Sequence, residues 1–402
     1  MDVDFNLTDD HLMVQETARR YAERFLARII ENDRAGTYDP ALYRELAESG
    51  LLGVAMPKKY GGLGLDYISL AIACEEMERV DTSLRVTFSV HAGLCGTGLM
   101  QWGTPEQKEK FLAPLASGEK LGGFALTEPN AGSDAAAIEA TAVREGDYYI
   151  LNGEKMWISL ADVADTFIFF AYTDKSKGHN GITAFIIERD RPGFQSHPIH
   201  GKLGVRAGNT GGIVLQNYRA HVSERLGEEG EGFKIAMSCI DGGRYTVAAG
   251  SVGLIRAAKE ASIRYAHERR TFGKEIGQHQ LVQRMIAHMV AGEETSRLLT
   301  YRAGWLKNQG KRSTRETALA KWVATNAAFE AASDAIQIHG AYGYSDEYPV
   351  ERFLRNAKGA VIYEGTREIQ ELMQGEYALG YRQDKPLRCP PVPWPFPDDK
   401  EA

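Results

Sequence analysis

The hydrophobic period of this chain changes twice, and this change constrains the fold more than any other feature of the sequence. Apolar residues recur at helical spacing up to about residue 120, and short β-branched and aromatic runs follow at 166–172, 182–187 and 213–218. From Phe233 the helical period returns in long blocks. Helical spacing predicts amphipathic helices, and short apolar runs bounded by Gly, Asn and Asp predict strands. The pattern therefore predicts an α+β multidomain protein.

Four segments follow from this pattern. We expect an N-terminal α-helical domain (1–120), a middle β-barrel domain (121–232), a C-terminal four-helix bundle (233–385) and a Pro-rich tail (386–402). The helical blocks of the bundle are 233–268, 279–309, 313–339 and 367–378. Because proline cannot continue a helix, the tail is predicted to lie extended over a surface or a neighbouring subunit.

Local signals add three predictions. Thr8 is placed to cap the first helix, and Asp39-Pro40 opens a second, because proline at the first helical position loses no needed hydrogen-bond donor. Asn152-Gly153 separates two apolar runs, which predicts a hairpin with a type I′ turn.

Composition excludes several classes of protein. The net charge is −7 without a long basic run, which argues against nucleic acid as the main partner. None of the four cysteines forms a CxxC pair, so we expect no metal site. No apolar stretch approaches the ~20 residues of a membrane span. The acidic start lacks the features of a secretory signal or transit peptide, so we expect a cytoplasmic protein.

Two segments of the β region have the chemistry to hold a planar ring. In residues 126–134 (LTEPNAGSD), Pro, Gly and Ser favour a turn that exposes N–H and hydroxyl groups. Residues 155–159 (KMWIS) place an indole and a hydroxyl two residues apart, on the same side of a strand. An indole can cover one face of a planar ring. Each segment taken alone has a purely structural alternative. Residues 126–134 could be a tight loop that joins helix to sheet, and Trp157 could be a core tryptophan near a strand end.

Three further groups concern anions and protons. Residues 268–273 (ERRTFG) suit a helix end, but two guanidinium forks could also hold a pyrophosphate. Asp241 and Arg244 share a helix face, which by itself indicates a solvated ion pair. Residues 363–366 (YEGT) place a carboxylate beside a glycine, whose mobile backbone can bring the acid close to a substrate carbon. Thr366 is also a suitable N-cap for the last helix.

Together these segments resemble the acyl-CoA dehydrogenase family, from about residue 5 to about residue 380. The resemblance implies an enzyme that binds FAD and oxidises an acyl-CoA thioester to the 2-enoyl-CoA. Glu364 stands where the family has its catalytic base, which removes the α-proton while flavin N5 accepts the β-hydride. The backbone N–H of Glu364 and a ribityl hydroxyl of FAD would hold the thioester carbonyl, where enolate charge develops.

The resemblance also assigns roles to other residues. Trp157 would shield the flavin ring and Ser159 would lie near N5, whereas Arg269, Phe272 and Gln280 would bind the FAD of an adjacent subunit. A shared cofactor site implies at least a dimer and favours a homotetramer. The positions that match FAD contacts are Leu126, Thr127, Ser133, Trp157, Ser159, Arg269, Phe272, Gln280, Gln337, Gly340 and Thr366. The positions that match substrate contacts are Glu78, Arg85, Ser133, Asp241, Arg244, Tyr363 and Gly365.

Arg85 bears on the acyl group. Its segment resembles the glutaryl-CoA dehydrogenase branch, in which the matching arginine binds the distal carboxylate of the substrate. A buried arginine facing an alkyl tail would be costly, which favours a dicarboxylate monothioester such as glutaryl-CoA or benzylsuccinyl-CoA. The competing interpretation is that Arg85 pairs internally with Glu78 or Asp81, and the alternative substrate is a short- or branched-chain monocarboxylic acyl-CoA.

The acceptor and the class of protein have alternatives too. An electron-transfer flavoprotein is the expected acceptor, and an oxidase that uses dioxygen stays open. A non-catalytic DNA-binding or scaffold relative is the alternative from another class, against which the acidic balance and Glu364 both argue. Relatives that oxidise nitroalkanes or remove a sulfinate lack a glutamate at the position of Glu364.

Overall fold

The N-terminal part of the chain is helical in the computed structural model, which describes residues 6–400 and leaves both extreme ends of the chain (1–5 and 401–402) outside. Thr8 caps the first helix by accepting a hydrogen bond from the His11 N–H, and Asp39 caps the second, as predicted. The helices are α1 (Asp9–Ala35), α2 (Pro40–Glu48), α3 (Tyr67–Val80), α4 (Thr82–Phe88), α5 (Thr97–Trp102), α6 (Pro105–Gln107) and α7 (Ala113–Ala116), with π-helical turns at Ser89–Gly96 and Lys108–Leu112.

The middle of the chain forms a sheet. Its strands are β1 (Gly122–Ala125), β2 (Thr141–Glu145), β3 (Tyr148–Ser159), β4 (Thr166–Tyr172), β5 (Ile182–Glu188), β6 (Phe194–Pro198), β7 (Thr210–His221) and β8 (Arg225–Leu226). Within residues 6–400 these eight strands are ordered β6-β7-β3-β2-β4-β5-β8, and β1 pairs in parallel with β4. All seven residues of β4 are buried, which is why its sequence is a continuous apolar run.

The predicted hairpin at Asn152-Gly153 is wrong. β3 continues through both residues, which lie at an irregularity in its pairing with β7. The chain reverses at Gly146 instead, where φ is 63°, and the hairpin joins β2 to β3. Gly153 is required by close packing, because a Cβ there would lie 2.5 Å from the Ala140 Cβ. The side-chain oxygen of Asn152 accepts a hydrogen bond from the Asn217 N–H of β7, so the Asn152 amide links β3 to β7.

The C-terminal part consists of long helices, as predicted. They are α8 (Gly232–Glu268), α9 (Gln280–Asn308), α10 (Thr314–His339), α11 (Val350–Ala360) and α12 (Arg367–Ala378), with a small hairpin of β9 (Arg270–Thr271) and β10 (Lys274–Glu275) between α8 and α9. Helices α8, α9 and α10 pack on one another, and α11 and α12 pack on α10. The observed order of helices, sheet and helices confirms the predicted fold class. No helix in residues 6–400 is long and apolar enough to span a membrane.

Helix α11 was absent from the prediction because two of its buried positions are polar. Arg352 and Asn356 face inward, and both contact the Asp81 carboxylate, at 3.2 Å and 3.1 Å. Polar residues on the buried face interrupt the apolar repeat by which a helix is recognised. The ion pair at Asp81 ties α11 to the start of α4.

Two glycines of α8 allow acidic side chains of other segments to approach its backbone. A Cβ on Gly243 would lie 2.0 Å from the Glu364 carboxylate, and a Cβ on Gly250 would lie 1.9 Å from that of Glu78. Both distances are far below van der Waals contact, so a larger residue would displace the acid. The glycine pattern of α8 thus positions two candidate site residues.

The Pro-rich tail lies extended over the N-terminal helices and the start of α8. Phe396 is fully buried, and its ring packs edge-on against Tyr67. Three side chains fix the tail through hydrogen bonds to main-chain oxygens, namely Tyr67 to Val392 (2.9 Å), Gln101 to Cys389 (2.8 Å) and Trp394 to Gly64 (3.0 Å).

Candidate active site

Glu364 lies in the loop between α11 and α12, where the backbone is left-handed at two successive residues. Its φ is 56° and that of Gly365 is 88°. A non-glycine residue at positive φ is uncommon, and such strain concentrates at functional sites. Side chains from three helices hold the two carbonyl oxygens of this loop: Arg244 to Glu364 (3.3 Å), Lys321 to Gly365 (2.7 Å), and Gln370 to Glu364 (3.3 Å) and Gly365 (3.1 Å).

The Glu364 carboxylate points into the protein interior. Its Oε2 has no hydrogen-bond partner among residues 6–400, although buried carboxylate oxygens are normally paired. Burial raises the pKa of Glu364 to about 7, against the opposing charges of Arg85, Lys321 and Arg244. A carboxylate with a pKa near neutral is suited to proton abstraction at neutral pH. The arrangement therefore leaves one basic oxygen free for a ligand.

Lys321 is a site residue that the sequence analysis missed. It is fully buried on α10, and burial lowers its pKa to about 7, with Glu364 opposing that fall. Its ammonium donates to the residue after Glu364. The available signal was a single lysine within the alanine-rich run ALAKWVAT. Gln370, one turn into α12, was missed as well, because nothing in the sequence distinguishes it from a surface glutamine.

Arg85 is buried and hydrogen-bonded on three sides. Its guanidinium donates to Glu78 Oε2 (2.5 Å), Ser89 Oγ (2.9 Å) and the Tyr363 hydroxyl (2.5 Å). Glu78 is also fully buried, so the internal pairing of Arg85 with Glu78 is present, whereas Asp81 pairs with α11. Because Tyr363 precedes Glu364, this network connects directly to the candidate base.

Asp241 and Arg244 form an ion pair on α8, but it is not a solvated one. Arg244 is buried, and its guanidinium lies 3.3 Å from the Asp241 carboxylate. Thr314 also donates to Asp241. Burial raises the pKa of Asp241, and Arg244 opposes the rise. Both residues line a cavity of about 800 Å³, between the start of α8, the β4–β5 connection and the tail.

The predicted ring-binding segments lie together, where β1 and β3 end. The Met156 N–H donates to the Thr127 carbonyl oxygen (2.9 Å), which joins the end of β3 to the turn after β1. Trp157 has a φ of 63°, and its side chain is 61% exposed. Ser159, two residues on, is half-buried. An uncovered indole beside a polar turn fits a planar flavin ring, which would cover the exposed aromatic face.

A buried ion pair fixes this turn, and the sequence analysis missed its role. Lys155 is fully buried, and its ammonium donates to the Leu126 carbonyl oxygen (3.0 Å) and to Glu128 (2.7 Å). Burial lowers the pKa of Lys155 to about 8, and Glu128 opposes the fall. Glu128 also accepts from the Ala140 N–H. Ser133 lies exposed at the far end of the same turn.

The remaining predicted FAD contacts lie elsewhere on the chain. Arg269, Phe272, Gln280, Gln337 and Gly340 are exposed at the far end of α8, in the β9–β10 hairpin and at the neighbouring ends of α9 and α10. At about 1.5 Å per helical residue, the 25 residues from Arg244 to Arg269 span about 38 Å. One chain therefore does not bring these residues to its own Glu364, and their contact with another subunit's FAD stays a prediction.

Thr366 caps α12 by accepting from the Ile369 N–H at 3.4 Å. The N-cap predicted for Thr366 is therefore present, and it fixes where α12 begins after the Glu364 loop. A contact of Thr366 with FAD stays a prediction.

Comparison with protein families gives the class. Three family models match in succession: "Acyl-CoA dehydrogenase, N-terminal domain" over 8–119, "Acyl-CoA dehydrogenase, middle domain" over 123–218 and "Acyl-CoA dehydrogenase, C-terminal domain" over 230–378. The fold and the site define a flavin-dependent oxidoreductase. The chain belongs to the acyl-CoA dehydrogenase family, as the sequence resemblance indicated, and its cofactor is FAD.

Individual relatives are similar in sequence to this chain over nearly their whole length. The short-chain specific acyl-CoA dehydrogenase of Megasphaera elsdenii is 43% identical over 378 residues, which is 93% of this chain and 99% of that protein. The Caffeyl-CoA reductase-Etf complex subunit CarC of Acetobacterium woodii is 39% identical over 368 residues, covering 91% of this chain and 97% of the relative.

Solved structures give the same fold. The butyryl-CoA dehydrogenase of Megasphaera elsdenii superposes with a TM-score of 0.92 at 43% identity, over 94% of this chain and 100% of that one. Glutaryl-CoA dehydrogenase in complex with glutaryl-CoA superposes with a TM-score of 0.90 at 38% identity, over 94% and 98% of the two chains.

Proposed function

We propose that this acyl-CoA dehydrogenase oxidises a short-chain acyl-CoA, with Glu364 as the base that removes the α-proton. The observation that carries the proposal is the buried Glu364 Oε2, which has no protein partner and is held on strained backbone by contacts from α8, α10 and α12. The short-chain relative from Megasphaera elsdenii supports the length of the acyl group.

In the proposed reaction, the α-proton passes to Glu364 and the β-carbon loses a hydride, which leaves the 2,3-double bond. Bound FAD supplies the two-electron acceptor for that hydride. Thr127, Ser133, Trp157 and Ser159 would hold the flavin ring where β1 and β3 end. The Glu364 N–H has no backbone acceptor among residues 6–400, which supports its assignment as a donor to the thioester carbonyl.

Neutralisation of Arg85 supports the short monocarboxylic acyl group over a dicarboxylate. Glu78 forms a direct ion pair with Arg85, so the pair carries no net charge toward the acyl end. A substrate carboxylate would have to join an arginine that already has three partners. A dicarboxylate monothioester, glutaryl-CoA or benzylsuccinyl-CoA, is the second candidate. It is favoured by the buried guanidinium of Arg85, which contacts Tyr363, the residue before the base.

The partners follow from the same assignment. The cavity beside Arg244 is lined by several cations and would hold the CoA moiety. An electron-transfer flavoprotein is the proposed acceptor, supported by the relative that is a subunit of an Etf complex. A homotetramer is proposed because Arg269, Phe272 and Gln280 are exposed far from Glu364. Location in the cytoplasm stays a prediction.

An anaerobic titration tests the proposal. The FAD-loaded protein is mixed with butyryl-CoA, isobutyryl-CoA, glutaryl-CoA and benzylsuccinyl-CoA, and flavin absorbance is followed. We expect rapid bleaching with butyryl-CoA. Bleaching by a carboxylated thioester alone would replace the short monocarboxylic substrate with the second candidate. An unchanged spectrum with all four thioesters would contradict both.

A further inference from the structure

The Pro-rich tail is not part of the domain shared with the family, because the matching C-terminal model ends at residue 378. Even so, the tail forms one side of the cavity that begins at Arg244. We propose that the tail, together with Lys385 just before it, completes the binding site for the phosphorylated, nucleotide end of CoA, with Lys385 as a phosphate-binding residue. This inference rests on the proposed function, in which the cavity holds CoA.

The cavity joins the reaction centre to the tail. At its inner end Arg244 donates to the Glu364 carbonyl oxygen. Its outer wall is built by side chains of the tail and of the residues just before it, namely Arg382, Gln383, Lys385, Pro386, Leu387, Pro391 and Val392. A thioester whose carbonyl lies at Glu364 would therefore direct its other end toward the tail.

The charge of the lining favours an anion. Six cationic residues face the cavity, namely Lys234, Arg244, Lys307, Arg312, Arg382 and Lys385, against the single acid Asp241. Most of them are already engaged: Arg244 with Asp241, Arg312 with Asp384, Arg382 with Glu376, and Lys307 over the rings of Tyr67 and Tyr245.

Two of these cations lie outside the ion pairs of the described residues. Within residues 6–400, neither Lys234 at the start of α8 nor Lys385, the residue just before the tail, forms an ion pair. Two ammonium groups that line one cavity without an ion pair match a ligand with phosphate groups, since charge-assisted bonds to phosphate oxygens are strong. The nucleotide end is the part of an acyl-CoA that carries phosphates.

The tail is held in place at this point, so Lys385 projects from a fixed wall. Arg312 donates to the Lys385 carbonyl oxygen (2.5 Å). Arg388, three residues on, forms an ion pair with Glu231 at 2.6 Å. Leu387 and Val392 pack against the main hydrophobic core. Because the carbonyl of Lys385, not its ammonium, anchors the tail, the side chain is free to bind a ligand and can be replaced without releasing the segment.

Binding of coenzyme A itself tests the inference apart from the acyl group. Calorimetry on the FAD-loaded protein compares the Kd of CoA for the parent protein, Lys385→Glu and Lys234→Glu. Lys400→Glu is the matched control, since it makes the same charge change in the tail at an exposed position that does not line the cavity. We expect Lys385→Glu and Lys234→Glu to weaken CoA binding about tenfold or more, and Lys400→Glu to leave it unchanged. The weakening should shrink as salt is raised.

Kinetics supply the second readout. With butyryl-CoA, Lys385→Glu should raise KM while kcat stays constant. With S-butyryl-N-acetylcysteamine, which lacks the nucleotide, both constants should equal those of the parent. Equal CoA affinity in Lys385→Glu and Lys400→Glu would overturn the role of the tail, as would an equal rise in KM for the truncated thioester. If the parent protein binds CoA but neither thioester reduces its flavin, the result contradicts the proposed substrate and leaves the role of the tail in CoA binding intact. Absence of CoA binding by the parent would overturn both.

Discussion

The ammonium of Lys321 lies 2.7 Å from the carbonyl oxygen of Gly365, the residue that follows the candidate base Glu364. Lys321 and the Oε2 atom of Glu364 are both removed from solvent, so the positive charge of Lys321 acts on the carboxylate with little screening. This contact gives the site a positioning residue that also influences the protonation of the base.

Replacing Lys321 should therefore change the pH profile. The charge of Lys321 lowers the pKa of Glu364 below the value that burial alone would give, so Lys321→Met should raise that pKa. The acid limb of kcat/KM should then move upward by about one pH unit, which corresponds to about 1.4 kcal/mol of lost charge interaction. Lys358→Met, on the exposed face of α11, is the control. An unshifted acid limb in Lys321→Met would contradict the electrostatic role.

Gly243→Ala tests the close approach between α8 and the base. The new Cβ would lie 2.0 Å from Glu364 Oε2, so the carboxylate must move. Because misplacement by about 1 Å can cost about 100-fold in rate, we expect kcat to fall by that order while FAD stays bound. Gly375→Ala is the matched control, since a Cβ there meets no atom within 4 Å. Full activity in Gly243→Ala would show that Glu364 does not depend on this contact.

The buried pair of Arg85 and Glu78 yields a stability prediction. Arg85→Gln would leave the Glu78 carboxylate buried without its cation, so the free energy of unfolding should fall by about 3–5 kcal/mol. The double variant Glu78→Gln/Arg85→Gln removes both charges and should be more stable than Arg85→Gln alone. Chemical denaturation measures both. A double variant less stable than either single variant would contradict the account of the pair.

Much of the fold was predictable because local sequence signals mark many of the helices and strands. Thr8, Asp39 and Pro40 mark helix starts with capping chemistry, and the apolar run of β4 is bounded by polar turns. Prediction failed where a tertiary contact decides the conformation. In the sequence, Gly153 resembles half of a turn, yet its missing side chain makes room for Ala140, which directly precedes the neighbouring strand β2.

The candidate site divides in the same way. Glu364 was identified through a resemblance of its motif, and its backbone strain and missing partner appear only in three dimensions. Lys321 and Lys155 were not predicted as site residues, because in a sequence a buried lysine cannot be distinguished from a surface lysine until its partner is known. Arg85 left two readings open, and only its distance to Glu78 shows that the internal pair forms.

Glu364→Gln tests the central claim most directly. The amide keeps the size of the side chain but cannot accept the α-proton, so the variant should retain bound FAD while flavin reduction by butyryl-CoA slows by at least about 100-fold. The measurement is the anaerobic rate of flavin bleaching, with FAD content and thermal stability as checks on folding. A rate within a few-fold of the parent would show that Glu364 is not the base.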